Sequence, residues 1–73
     1  MRLIMWNIGK CYEVHSSYDG KIYRFKVKNF TQELGSDHYW GCLEGNAEII
    51  SLDFITHHAY YYSKEIACND FNC

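Results

Sequence analysis

The stretch Lys21-Ile22-Tyr23-Arg24-Phe25-Lys26-Val27-Lys28-Asn29-Phe30 decides how this chain is read. Tyr23, Phe25 and Val27 alternate with Arg24, Lys26 and Lys28, a period of two that gives an extended strand one apolar and one basic face. Only Ile22, next to a turn, breaks the pattern. Just upstream, Asp19-Gly20 is a pair that supplies the positive backbone angles of a tight hairpin turn. Before it, Lys10 to Ser16 carries Tyr12 and Val14 on one face and Cys11, Glu13 and His15 on the other. The two segments are expected to pair antiparallel.

Downstream, Thr31 to Asp37 is polar around Gly35 and reads as a loop leading to a third strand, His38 to Leu43. Gly41 within that strand marks either a bulge or the close approach of another backbone. Glu44-Gly45-Asn46 turns the chain into Ala47 to Ile55, where Ile50, Leu52 and Phe54 oppose Ile49 and Ile55. Apolar groups on both sides suit a central strand, or a strand running into a short helical turn begun at Ser51 or Asp53. Thr56 to Ala59 connects to a last strand, Tyr60 to Ile66, followed by a tail to Cys73. Leu3 to Trp6 is expected to add an edge strand.

With 73 residues, no proline and no linker or repeat, residues 1–73 form one domain, because so short a chain cannot divide its buried surface between two cores. The predicted class is mostly β: a small five-stranded antiparallel barrel or bent sheet. The order of its elements resembles that of SH3-like barrels. The resemblance is architectural, carried by no family motif, and implies no activity of its own.

Charge and composition narrow the functions. A formal net charge of -2 gives no overall attraction to nucleic acid or anionic lipid, so any such binding needs a local patch. No apolar run reaches the length of a membrane span, and Met1 to Trp6 is too short for a signal core, so a soluble cytoplasmic protein is expected. In that compartment Cys11, Cys42, Cys68 and Cys73 are expected as reduced thiols, with Cys11 and Cys42 as small buried groups. The sequon Asn29-Phe30-Thr31 has meaning only in a secreted chain.

Two Trp, seven Tyr and four Phe are more rings than one small core hides, so several are expected at the surface. Tyr60, Tyr61 and Tyr62, with Tyr39 and Trp40, form the expected anchor for a protein partner, and Arg24 and Lys26 are assigned to steering it. The competing use of Arg24, Lys26 and Lys28 is a basic track for a nucleic-acid backbone, with Tyr23 or Tyr39 as a stacking platform.

Catalytic groups are sparse. Cys42 with His38 and Asp37 or Asp53 can be combined on paper, but no motif places them together, and the five glycines are too scattered for a phosphate loop. An enzyme is not expected, and neither is a cofactor. The neighbours His57-His58 and the pair Cys68 and Cys73 lack the paired spacing of zinc ligands, so no metal site is assigned. The favoured expectation is a small stand-alone interaction protein, an inhibitor or modulator from a phage or bacterium that binds a larger protein such as a host enzyme or defence protein. The alternatives are a nucleic-acid-binding barrel and an oligomer that sequesters a small ligand such as a nucleotide between its subunits.

Overall fold

The structure, a computed structural model, describes residues 6–73. Five strands and one helical turn follow in order: β1 (Cys11–Ser16), β2 (Ile22–Glu33), β3 (Ser36–Leu43), β4 (Ile50–Ser51), α1 (Asp53–Thr56) and β5 (Tyr60–Ile66). They form one antiparallel sheet in the order β4-β3-β2-β1-β5, with β4 and β5 at its edges among the described residues. The sheet is therefore open. Of the two expected forms, the bent sheet is the one observed. The expected edge strand falls mainly on residues 3–5, which lie outside the described residues. Trp6 itself is not in a strand and is buried in the core.

The alternation in β2 sets the two faces. Tyr12, Val14, Phe25, Val27 and Tyr39 point to one side and meet Trp6, Leu52 and Ile55, so α1 and the segment before β1 close the main core. Trp6 lies edge-on to Tyr12 and Phe25, with ring centroids at 5.0 and 5.5 Å. Edge-to-face rings let bulky side chains fill a small core without facing their π-clouds.

The other face is not left to solvent. The tail after β5 crosses it and is fastened twice, by Cys11–Cys68 and Cys42–Cys73, whose Cα atoms are 5.5 and 6.2 Å apart. Phe71 is buried between them with Ile66 alongside, giving a second, smaller core. The reduced thiols expected from the sequence are thus corrected: none of the four cysteines is free. Two thiols on the sheet and two on the tail meet because the tail must fold back to cover Cys11 and Cys42, a contact between distant positions that spacing does not reveal.

A second correction concerns Thr31 to Asp37. Rather than a loop, β2 continues to Glu33 and turns at Leu34-Gly35 directly into β3, with Glu33 opposite Ser36. Both turn residues have positive φ, 51° and 81°, the geometry of a two-residue hairpin whose twist matches its strands. This end of the hairpin projects beyond the core, so its side chains are polar on both faces and the alternation that signals a strand is missing.

Gly41 shows the close approach expected of it. A Cβ there would sit 1.8 Å from the carbonyl oxygen of Lys26, and β2 bulges at Lys28, between Val27 opposite Gly41 and Asn29 opposite Trp40. Among the described residues no helix is long and apolar enough to cross a membrane.

Two outcomes follow from this packing. Gly41→Ala forces backbone atoms apart and is expected to lower unfolding stability in urea by about 2–4 kcal/mol, the upper range for point substitutions. Replacing Cys42 and Cys73 by Ser opens a crosslink spanning 31 residues and is expected to cost about 3–4 kcal/mol through the freed unfolded chain. Near-UV circular dichroism alongside the urea titration will show Phe71 losing its fixed environment.

Candidate functional site

The aromatic residues singled out from the sequence separate into two groups. Tyr39 is buried in the main core, and Tyr60 is half-buried against it, 5.9 Å from Trp6. Burial pushes the Tyr39 phenol up from its ordinary pKa. Trp40 leaves β3 on the opposite side from Tyr39 and donates its indole N–H to Thr31 Oγ1 at 3.2 Å. It lies three strands away from β5 in the sheet order, so it does not share a surface with the tyrosine run.

Tyr61 and Tyr62 do remain outside, 69% and 45% exposed, at the start of edge strand β5. The pairing of β1 with β5 slips here: His15 faces Tyr62 and Ser16 faces Tyr60, leaving Tyr61 as the extra residue of a bulge. A bulge re-aims a side chain and increases local twist. Both rings stand edge-on to His15, at 5.8 and 4.8 Å between centroids. Ile22, opposite His15 on β2, is exposed on the same face, and nearby the exposed Tyr18 stacks on His58 at 4.3 Å. Sequence reading passed over His15, Ile22 and His58 as contributors. His15 and Ile22 were legible only as the outward phase of their strands, whereas His58 stands in a loop.

The basic residues are occupied. The Arg24 Nε–H donates to Glu13 Oε1 at 2.9 Å, and its Nη1 reaches Glu44 Oε1 at 3.4 Å. Lys26 donates from Nζ to the carbonyl oxygen of Cys73 at 3.0 Å, so its charge helps hold the tail over the second face. Neither side chain extends freely toward a partner. Lys28, at the bulge, is exposed. The alternating cations therefore do not form an open track.

Glu13 is the pivot of the outward face. It is buried, yet accepts hydrogen bonds from His15 Nε2 at 2.8 Å and from Arg24. The His15 bond first, then Arg24, hold its carboxyl below the usual range against the opposing effect of burial. Through His15 the same carboxylate orients the imidazole on which Tyr61 and Tyr62 rest. At the hairpin, the Tyr23 hydroxyl donates to Asp19, lowering the carboxyl pKa and raising the phenol's.

Cys42, His38, Asp37 and Asp53 do not assemble a nucleophilic centre, because Cys42 is consumed in its disulfide. His38, Asp53 and His57, however, do come together beside α1, with their ligand-capable atoms within 4.8 Å of one another. The signal for part of this was present: Asp53 and His57 are four apart, the spacing that aligns side chains along one side of a helical turn.

Compared with protein-family models, curated proteins and solved structures, the chain gives no match, so its function has to be read from these residues.

Because Glu13 titrates lower in the folded chain than when unfolded, its stabilising contribution is complete above the ordinary carboxylate pKa and disappears as the pH falls through its depressed value. Asp19 acts in the same direction. Urea titrations from about pH 6 to pH 3 are expected to show the wild type losing stability and Glu13→Gln losing less of it, since that variant no longer carries the titrating group.

Proposed function

We propose that this chain is a protein-interaction domain whose contact surface is the uncharged first half of edge strand β5, with Tyr61 and Tyr62 as its anchors. The observation that carries the reading is their joint exposure on β5, an edge strand among the described residues, while His15 holds both rings. An edge strand presents unpaired backbone donors and acceptors, and proteins usually blunt such edges with charge. Here Lys64 and Glu65 stand on the second half of β5, whereas Tyr60 to Ser63 carries no charge. Tyrosine gives large contact area at low entropy cost and brings its own hydroxyl to a partly wet interface.

Tyr18, Ile22 and His58 extend this surface toward the hairpin. Tyr39 and Tyr60 belong to the main core or pack against it, and Trp40 stands apart from the surface. Arg24 and Lys26 contribute by positioning, Arg24 through Glu13 and Lys26 through the tail, in place of the steering role expected for them. The partner is a larger protein, and if the covered region is that protein's working surface, the chain acts as its inhibitor or modulator. Two disulfides favour an oxidising compartment over the cytoplasm expected from the sequence, since cytosolic thiols are kept reduced.

A tagged wild-type chain retaining one protein from a bacterial lysate or periplasmic extract at both low and high salt is the expected result. Tyr61→Ser combined with Tyr62→Ser is expected to weaken that complex by about 30-fold or more, the scale of a two-residue hot spot, with little change in stability. Trp40→Ser is expected to leave binding intact. Retention of nucleic acid that washes off with salt would favour the basic-face alternative, and loss of binding in Trp40→Ser but not in the double variant would move the surface to β3.

A further inference from the structure

His38, Asp53 and His57 form a cluster beside α1 that is separate from the exposed Tyr61 and Tyr62. His38 is carried by β3, Asp53 opens α1, and His57 follows its last residue. The Asp53 carboxylate lies between the two imidazoles: Oδ2 is 2.9 Å from His38 Nδ1 and Oδ1 is 3.5 Å from His57 Nε2. The rings are 5.3 Å apart between centroids. His57 Nε2–H donates to the carbonyl oxygen of Asp37 at 2.6 Å, a bond this nitrogen gives up when it takes a metal.

A second observation points to a ligand. Asp53 Oδ1 is buried from solvent and accepts no hydrogen bond from any of the described residues, although its carboxylate partner oxygen does. A desolvated carboxylate oxygen without a donor is costly, and native structures rarely keep one without an ion, a water or a strained purpose. It faces two imidazoles whose charge is not obligatory.

We propose that His38, Asp53 and His57 bind a divalent transition metal, with Zn²⁺ the ion best suited to them. Two imidazoles and one carboxylate suit the borderline acids of the first row, whereas Mg²⁺ and Ca²⁺ ask for oxygen alone. Zinc bonds of roughly 2.0–2.2 Å to nitrogen and oxygen place neighbouring tetrahedral ligands roughly 3.3–3.6 Å apart. The separations of 2.9 and 3.5 Å bracket that value, and the widest, within 4.8 Å, closes by rotation of the half-exposed His57 side chain. Three protein ligands leave one coordination position for water or for a donor atom from outside the chain. The four cysteines do not compete, because all are in disulfides.

The site tethers α1 to β3. Metal binding therefore stabilises the helical turn that supplies Ile55, and the preceding Leu52, to the main core. This inference does not depend on the tyrosine surface, which lies on other residues, and the two can fail separately.

The test uses the full disulfide-bonded chain in a non-chelating buffer. Calorimetric titration with ZnCl₂ is expected to show one ion per chain, and Co²⁺ is expected to give the visible absorption of a low-symmetry site with nitrogen and oxygen ligands. His57→Gln and Asp53→Asn are each expected to weaken Zn²⁺ binding by more than about tenfold, since even outer-shell changes at such sites cost that much. His57→Gln alters an exposed side chain, so unchanged circular dichroism will show that the loss is not unfolding. Glu48→Gln, an exposed carboxylate outside both the cluster and the tyrosine surface, is expected to bind like the wild type. Absence of saturable binding by the wild type overturns the assignment, as does an equal loss in Glu48→Gln and His57→Gln, which would place the ion on surface groups in general.

Discussion

Covering both faces of one small sheet is the constraint on which this structure depends. A single antiparallel sheet in a chain of this length has one short helical turn to offer, and that turn, with Trp6, covers only the face bearing Phe25 and Val27. The opposite face would expose Cys11 and Cys42. The tail solves this by lying across the sheet, and the crosslinks to Cys68 and Cys73 make a seven-residue segment with little apolar surface hold there. Small domains commonly rely on such bonds because their cores alone supply little stability.

That arrangement shapes the rest. Cys68 follows β5 closely, so its bond to Cys11 also clamps the far end of β5 onto β1, while the near end, where the register slips, stays free to present Tyr61. Lys26 is drawn to the tail, Arg24 to Glu13 and Glu44, and the basic face becomes internal wiring. Charges that are paired in this way fix positions more than they attract partners. What remains as candidate sites is the uncharged aromatic edge at Tyr61 and Tyr62 and the His-Asp-His cluster beside α1.

The two candidate sites differ in what holds them. Tyr61 and Tyr62 depend on His15 and so on Glu13, a buried carboxylate that is charged across the ordinary range. The His-Asp-His cluster depends on the docking of α1 against β3, which Leu52 secures by donating its backbone N–H to the Tyr39 carbonyl at 2.8 Å. Core packing at Tyr39 thus positions His38's neighbours, although Tyr39 itself reaches no surface.

The sequence by itself determined the strands, because alternation in Lys10 to Ser16 and Lys21 to Phe30 reports burial that each residue experiences locally. It marked Gly41 as a bulge or a close approach and left Ala47 to Ile55 between a central strand and a strand ending in a short helical turn, choices the structure made. It did not determine that β2 runs on to Glu33, since a hairpin end standing clear of the core has no apolar face to betray it. Which tyrosines are inside was equally hidden: Tyr60, Tyr61 and Tyr62 look alike in the chain, and only the slip in register against β1 separates them. Only the tertiary structure decided the disulfide pairing, the neutralised basic stripe and the convergence of His38 with Asp53 and His57. Each of these joins residues far apart in sequence, and such contacts are set by how the sheet bends and what crosses it, which no local pattern records.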